Sequence, residues 1–321
     1  MRWVSASVDG TARLGVVDGG TVCLTDEGTG PLLTLLRGGT LAEVGEAALR
    51  SPVATFELSG ADLRAPLPEP SSVRDFMAFE QHVDGMSRLV DGQAHVPGVW
   101  YDQPLFYFTN PTSVIGPHDD VAIPPGAEVF DFELEVAAVI GPADPSRPLT
   151  DLSLDEADAA IAGYLLMNDW SARDLQFREM QGPLGPCKGK DSAITLGPWF
   201  VTADELEPYR KGAAFDLGMS VWVNDELIGQ DRLSNMAWSF AEMAAYASRG
   251  TRLRVGDVLG SGTCGDGCLA EHWGRHGRDS LAPLRVGDVV SMEVDLLGAI
   301  ANRVVAGEPV RQPLRRRPHP V

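Results

Sequence analysis

The chain has 321 residues, 44% of them hydrophobic and 22% charged, which suits one large domain or two moderate ones with ample core. Its net charge of −19 speaks against a nucleic acid or an anionic membrane as partner, since both demand basic patches, and leaves cation binding open. The four cysteines are too scattered for a disulfide framework, no apolar run nears the roughly 20 residues of a membrane helix, and the N-terminal stretch lacks an apolar signal core, so a cytoplasmic protein is expected.

Residues 1–68 read as a small α+β module. "ARLGVVDGGTVCL" predicts two strands turning at Asp18-Gly19-Gly20, and "TLAEVGEAALRS" predicts a short helix capped by Thr40. The Pro-rich "RAPLPEPSSVRD" then crosses into a main domain over residues 69–307. There "DLSLDEADAAIAGY" predicts a helix and "GYLLMND" a buried strand running into a helical "SARDLQFREM". "SVWVNDELIG" predicts a hairpin turning at Asn224-Asp225. "TCGDGC" brings Cys264 and Cys268 near His272 and His276, a possible zinc set, although the glycine density reads more simply as a loop. The Pro- and Arg-rich residues 308–321 predict a disordered tail.

Two segments carry chemistry. In "FDFELEVAAVIG", strand alternation puts Phe130, Phe132, Leu134 and Val136 on one face and Asp131, Glu133 and Glu135 on the other. Glu133 and Glu135 lie roughly 7 Å apart along such a strand, close enough to converge on one oxygen-loving cation. A solvated acidic strand would carry the same letters. In "MNDWSARDLQ", Asp169, Arg173 and Gln176 fall at i, i+4 and i+7, one face of a helix beginning at Asp169, and could hold a metal and an anionic substrate together. The alternative is a helix cap paired with Arg173 on the surface. Downstream, "GPLGPCKGKD" is a Gly/Pro-dense loop with Lys188 and Lys190.

These segments, with "GSGT" and the closing "LLGAIANRVV", occur in an order that resembles the fumarylacetoacetate hydrolase family from Val73 to Val305. The resemblance implies an α+β, mainly β fold, a mixed β-sandwich roll with flanking helices, assembled as a homodimer. It implies Glu133, Glu135, Asp169 and Asp75 as ligands of Mg²⁺, with Ca²⁺ or Mn²⁺ also suited. It further implies His82, in "RDFMAFEQH", as a base oriented by Glu271, and Arg173, Gln176 and Lys190 as groups that polarise the substrate. Tyr107 and Thr263 match substrate-contacting positions, whereas Asp131 matches no ligand and is expected half-solvated at the strand's start. Residues 83–103 have no firm counterpart and read as part of a lid, with Arg88, Trp100 and Tyr101 facing the substrate's distal end. The implied activity is metal-dependent cleavage of a C–C bond in a small acylpyruvate or β-diketo acid. Decarboxylation or keto–enol isomerisation of a 2-oxo acid is the alternative on the same site, and a non-catalytic metal and keto-acid binder is the alternative of another class.

Overall fold

The computed structural model describes residues 1–142, 147–312, 314 and 317. Half of the expected tail, residues 313, 315–316 and 318–321, lies outside them. The architecture is mixed and mainly β, as expected: a 12-stranded sheet, a 5-stranded sheet and short helices at their margins. No described helix is long and apolar enough to cross a membrane.

The centre of the large sheet positions the site. Strand Leu134–Ile140 lies between Ile161–Asp169 and Asp257–Gly260, and the latter pairs in parallel with Ser72–Phe76. All seven residues of the 134–140 strand are buried, which explains why its C-terminal half reads as an unbroken apolar run. Alternation splits them between two cores. Leu134, Val136, Ala138 and Ile140 join Phe130 and Phe132 in one cluster, and Ala137 and Val139 pack with Trp3, Leu14 and Val16 in another. Glu133 and Glu135 begin the second face, so the acidic stretch leads into a core.

The N-terminal residues extend this sheet: Arg2–Val8 pairs with Ile194–Thr202, and Trp3 packs with Phe200 in the second core. Strands Thr11–Asp18 and Thr21–Leu24 form the expected hairpin. Helix Leu41–Arg50 also forms, but Thr40 makes no side-chain cap there. In the small sheet, Gly218–Val223 turns into Glu226–Arg232 through Asn224 and Asp225, both with positive φ (50° and 67°), as a tight hairpin requires. Helix Leu154–Ala159 begins with a reciprocal Ser153–Glu156 capping box.

The strand Ile161–Asp169 ends where expected, but the helix does not begin there: Arg173–Glu179 starts only after the short strand Ser171–Ala172. The two-residue strand pairs with Phe130–Asp131, and Trp170 stacks on Phe130 at 5.5 Å, so local helical spacing yields to sheet pairing. Arg173 and Gln176 still share a helix face, with Arg173 Nη1 donating to Gln176 Oε1 at 3.1 Å.

Candidate active site

Strand register assembles the acidic group. Gly260 pairs with Asp75 on one side and Ala137 on the other, and the Asp169 amide donates to the Glu133 carbonyl at 3.2 Å. One carboxylate oxygen from each of Asp75, Glu133, Glu135 and Asp169 lies within 4.8 Å of the others, and all four residues are buried. A Cβ on Gly260 would sit 2.7 Å from Asp75 Oδ1 and 2.9 Å from Glu135 Oε2, so only glycine leaves room for the group.

Its charge is only partly compensated. Lys190 Nζ lies 2.5 Å from Glu133 Oε2 and 2.7 Å from Asp169 Oδ2. Arg173 Nη1 lies 2.7 Å from Glu133 Oε1, but the same guanidinium is shared with Asp131. Burial and the Asp169 charge push Asp75 up to about 8. Burial and Asp75 push Glu135 well above the carboxylate range, and burial raises Asp169 as well. Burial also acts on Glu133, yet Lys190 and Arg173 outweigh it and hold that carboxyl well below its usual value. Asp75 Oδ1, Glu135 Oε1 and Asp169 Oδ1 have no hydrogen-bond partner among the described residues. Buried, unpartnered carboxylate oxygens facing one another fit a hard divalent cation, which would take these four side chains as ligands.

Asp131 is not half-solvated. It is fully buried and receives Arg173 Nε at 2.8 Å, with the backbone N–H groups of Phe132, Leu269 and Ala270 at 2.8, 2.9 and 3.0 Å. It thereby ties Arg173 to the start of helix Leu269–His276. That helix presents Glu271, whose Oε2 lies 3.2 Å from His82 Nδ1 on helix Glu80–Asp91. The two helices touch because Gly85 carries no side chain; a Cβ there would meet Glu271 Cγ at 2.3 Å. Arg275, one turn past Glu271, holds its other oxygen at 2.5 Å.

Both groups open into one cleft of about 930 Å³. Asp75, His82, Tyr107, Glu133, Arg173, Gln176, Lys190 and Thr263 line it, and Tyr107 donates to Asp169 Oδ2 at 2.5 Å. Glu135, Asp169 and Glu271 stand behind that wall, in contact with it. Arg88 and Tyr101 do not line it. Arg88 pairs with Asp84 along its own helix, and Tyr101 is 54% exposed and donates to Glu80. Trp100 is buried and donates to the Met77 carbonyl. The outer wall instead comes from Met86, Leu89, Phe177, Met180 and Gln181, with Arg278 at the rim. Among the residues that hold Asp131, Glu271 and His82 in place, Arg275 alone carries a signal in the sequence, its i+4 spacing from Glu271. Asp131 and Cys268 meet their partners through contacts that span the chain. The thiols do not join His272 and His276 among the described residues; Cys268 lies instead 3.9 Å from His82 Nδ1.

The profile of the family described as Fumarylacetoacetate (FAA) hydrolase C-terminal matches residues 71–305. The chain is 30% identical over 275 residues to the mitochondrial oxaloacetate tautomerase Fahd2a of Rattus norvegicus, covering 84% of this chain and 78% of that protein. It is 30% identical over 243 residues to the fumarylacetoacetase of Arabidopsis thaliana, covering 61% of this chain and 57% of that one. The chain spans about half the length of the fumarylacetoacetases it matches. The solved fumarylacetoacetate hydrolase from psychrophilic Exiguobacterium antarcticum superposes with a TM-score of 0.75 at 25% identity, over 96% of this chain and 100% of that one. Maleylpyruvate hydrolase from Sphingobium sp. SYK-6, solved with manganese (II) ion and pyruvate, shares the fold with a TM-score of 0.69 at 24% identity and the same coverage.

Proposed function

The chain belongs to the fumarylacetoacetate hydrolase family, and from that premise we propose that it is a divalent-metal-dependent hydrolase cleaving a C–C bond in a small acylpyruvate or β-diketo acid. The observation that carries this reading is the His82–Glu271 pair opening into the same cleft as the four carboxylates. Mg²⁺ is the proposed cation, and Ca²⁺ or Mn²⁺ suits the same oxygen donors. Bound there, it supplies Lewis-acid polarisation of the substrate's paired oxygens.

The protein's own groups do the rest. Glu271 accepts from His82 Nδ1, which fixes that proton and leaves Nε2 to take one from a water in the cleft. The assignment follows from the hydrogen-bond network. Lys190 has three ammonium protons and gives two to Glu133 and Asp169, so the third is left for a substrate oxygen. Gln176 accepts from Arg173 through its oxygen, which turns its amide protons toward the ligand space. These donors would stabilise the developing oxyanion and hold the substrate's carboxylate. Tyr107 and Thr263 flank the same space. A cytoplasmic homodimer with a small keto-acid as its partner completes the proposal.

A second reading has support of its own. The match to the rat oxaloacetate tautomerase covers more of both chains than the match to the plant fumarylacetoacetase. Keto–enol isomerisation or decarboxylation of a 2-oxo acid could use the same groups. The test offers Mg²⁺-loaded protein acylpyruvates of increasing length and, in parallel, oxaloacetate. Pyruvate and a free carboxylic acid from an acylpyruvate, lost in His82→Ala, are expected. Turnover of oxaloacetate with every acylpyruvate untouched would replace hydrolysis by the second reading.

A further inference from the structure

Beside the four carboxylates lies a second group of buried donors with a different chemistry. His82, Cys268 and Glu271 are each more than nine-tenths buried, and one donor atom from each lies within 4.8 Å of the other two. His82 Nδ1 is 3.2 Å from Glu271 Oε2 and 3.9 Å from Cys268 Sγ. In a tetrahedral zinc site with ordinary bond lengths, the nitrogen–oxygen edge is about 3.4 Å and the nitrogen–sulfur edge about 3.6 Å. The two distances here fall close to those edges without any rearrangement of the backbone.

Donor chemistry decides which cation would enter. Thiolate and imidazole favour zinc-like ions, whereas an all-carboxylate group favours magnesium, calcium or manganese. We propose that His82, Cys268 and Glu271 form an inhibitory site for one thiophilic divalent cation, Zn²⁺ or Cd²⁺, separate from the carboxylate group. The Cys268 thiol would release its proton to solvent, and water would fill the fourth position of the ion. Arg275 already holds Glu271 Oε1 at 2.5 Å, which leaves Oε2 to face the ion. His82 lines the cleft, so there is a route in. Burial and the nearby Asp131 push the Cys268 thiol up, and the cation must overcome that cost.

Inhibition follows from the ring's two nitrogens and rests on the reading of His82 as the base. A cation on Nδ1 leaves the neutral ring's one proton on Nε2, so that nitrogen can no longer accept one from water. Glu271, which orients the ring for catalysis, becomes a ligand.

The test adds Co²⁺ and Cd²⁺ to the Mg²⁺-loaded protein carrying Cys187→Ser, which removes the exposed thiol. The readout is thiolate-to-metal charge-transfer absorption. One equivalent of signal is expected, kept in Cys264→Ser, whose thiol is buried outside the group, and lost in Cys268→Ser. Cys268→Ser should retain turnover. The Cd²⁺ concentration for half-inhibition should rise by ~100-fold or more, because losing even an outer-shell partner costs 10–100-fold in affinity. Cys268→Ala is the second variant should the serine disturb folding. No charge-transfer signal in the parent protein, or a signal that follows Cys264, overturns the site. A signal that follows Cys268 without loss of turnover leaves the site standing and removes His82 from its role as base.

Discussion

Asp131 and Glu135 sit four residues apart, both carboxylates without exposed surface, and their surroundings are opposite. Asp131 receives three backbone N–H groups and lies 2.8 Å from both Nε and Nη2 of Arg173. Glu135 receives one, from Gly262 at 3.0 Å, and its Oε1 has no partner among the described residues. Burial is the same, so the number of donors separates them. A carboxylate with filled lone pairs joins parts of the fold; one left open is free for a ligand. The comparison divides this acidic segment into a structural end and a chemical end.

Two substitutions test that division. Glu135→Gln keeps the shape and removes one ligand charge, so turnover should fall by ~10³-fold or more, the rate equivalent of several kcal/mol of lost charge stabilisation. The metal-free protein should melt at the same temperature or higher, because a carboxyl whose ionisation the dry site opposes has gone. Asp131→Ala should do the reverse in emphasis. It leaves Arg173 with less compensation in a dry site, and chemical denaturation should show a loss of about 3–5 kcal/mol. Equal destabilisation by the two changes would erase the distinction.

The pH dependence of stability sharpens it further. Asp75, Glu135 and Asp169 all have folded-state pKa values above those of an unfolded chain, with Asp75 at about 8. Between the unfolded carboxylate range near 4 and that value, the folded state binds more protons than the unfolded one. Stability of the metal-free protein is therefore greatest at the acidic end of this window and declines as pH rises through it. Glu133 works in the opposite sense, but its window lies below the unfolded value. A divalent cation binds the ionised form, so excess Mn²⁺ should reverse the slope. Melting temperatures from pH 5 to 9, in chelator and in Mn²⁺, check both signs. Asp75→Asn should flatten the metal-free curve.

Much of this site was legible because side chains keep a period of two even across residues 132–133, which lie between strands Phe130–Asp131 and Leu134–Ile140. Glu133 and Glu135 could be paired from alternation alone, and "GYLLMND" is the buried strand its letters suggest. Asp169 ends that strand, yet it does not share the helix face of Arg173 and Gln176, because i+4 spacing to Arg173 looks the same whether or not a two-residue strand intervenes. The surroundings of Asp131 could not be read, since its amide donors at Leu269 and Ala270 are 138 and 139 residues away. Gly260 and Gly85 gave no signal either; each matters only for a side chain that the fold brings opposite it.

The smallest effects are expected at two residues of the lid segment. Arg88 and Tyr101 belong to the segment beside the cleft, but helix Glu80–Asp91 turns Arg88 along its own axis toward Asp84. A partly exposed i, i+4 pair of this kind contributes well under ~1 kcal/mol. Tyr101 spends its hydroxyl on Glu80 at the surface. Arg88→Ala and Tyr101→Phe should therefore leave kcat/KM within about twofold of the parent, inside the scatter expected for surface changes. Phe177, which does line the cleft, provides the contrast: Phe177→Ala should raise KM by ~10-fold or more, since apolar pocket contacts are worth roughly 1–3 kcal/mol. A large loss in Arg88→Ala with none in Phe177→Ala would mean that the helix turns over when substrate binds, carrying Arg88 inward. The cleft's outer wall would then be a moving part, set against the fixed carboxylates beneath it.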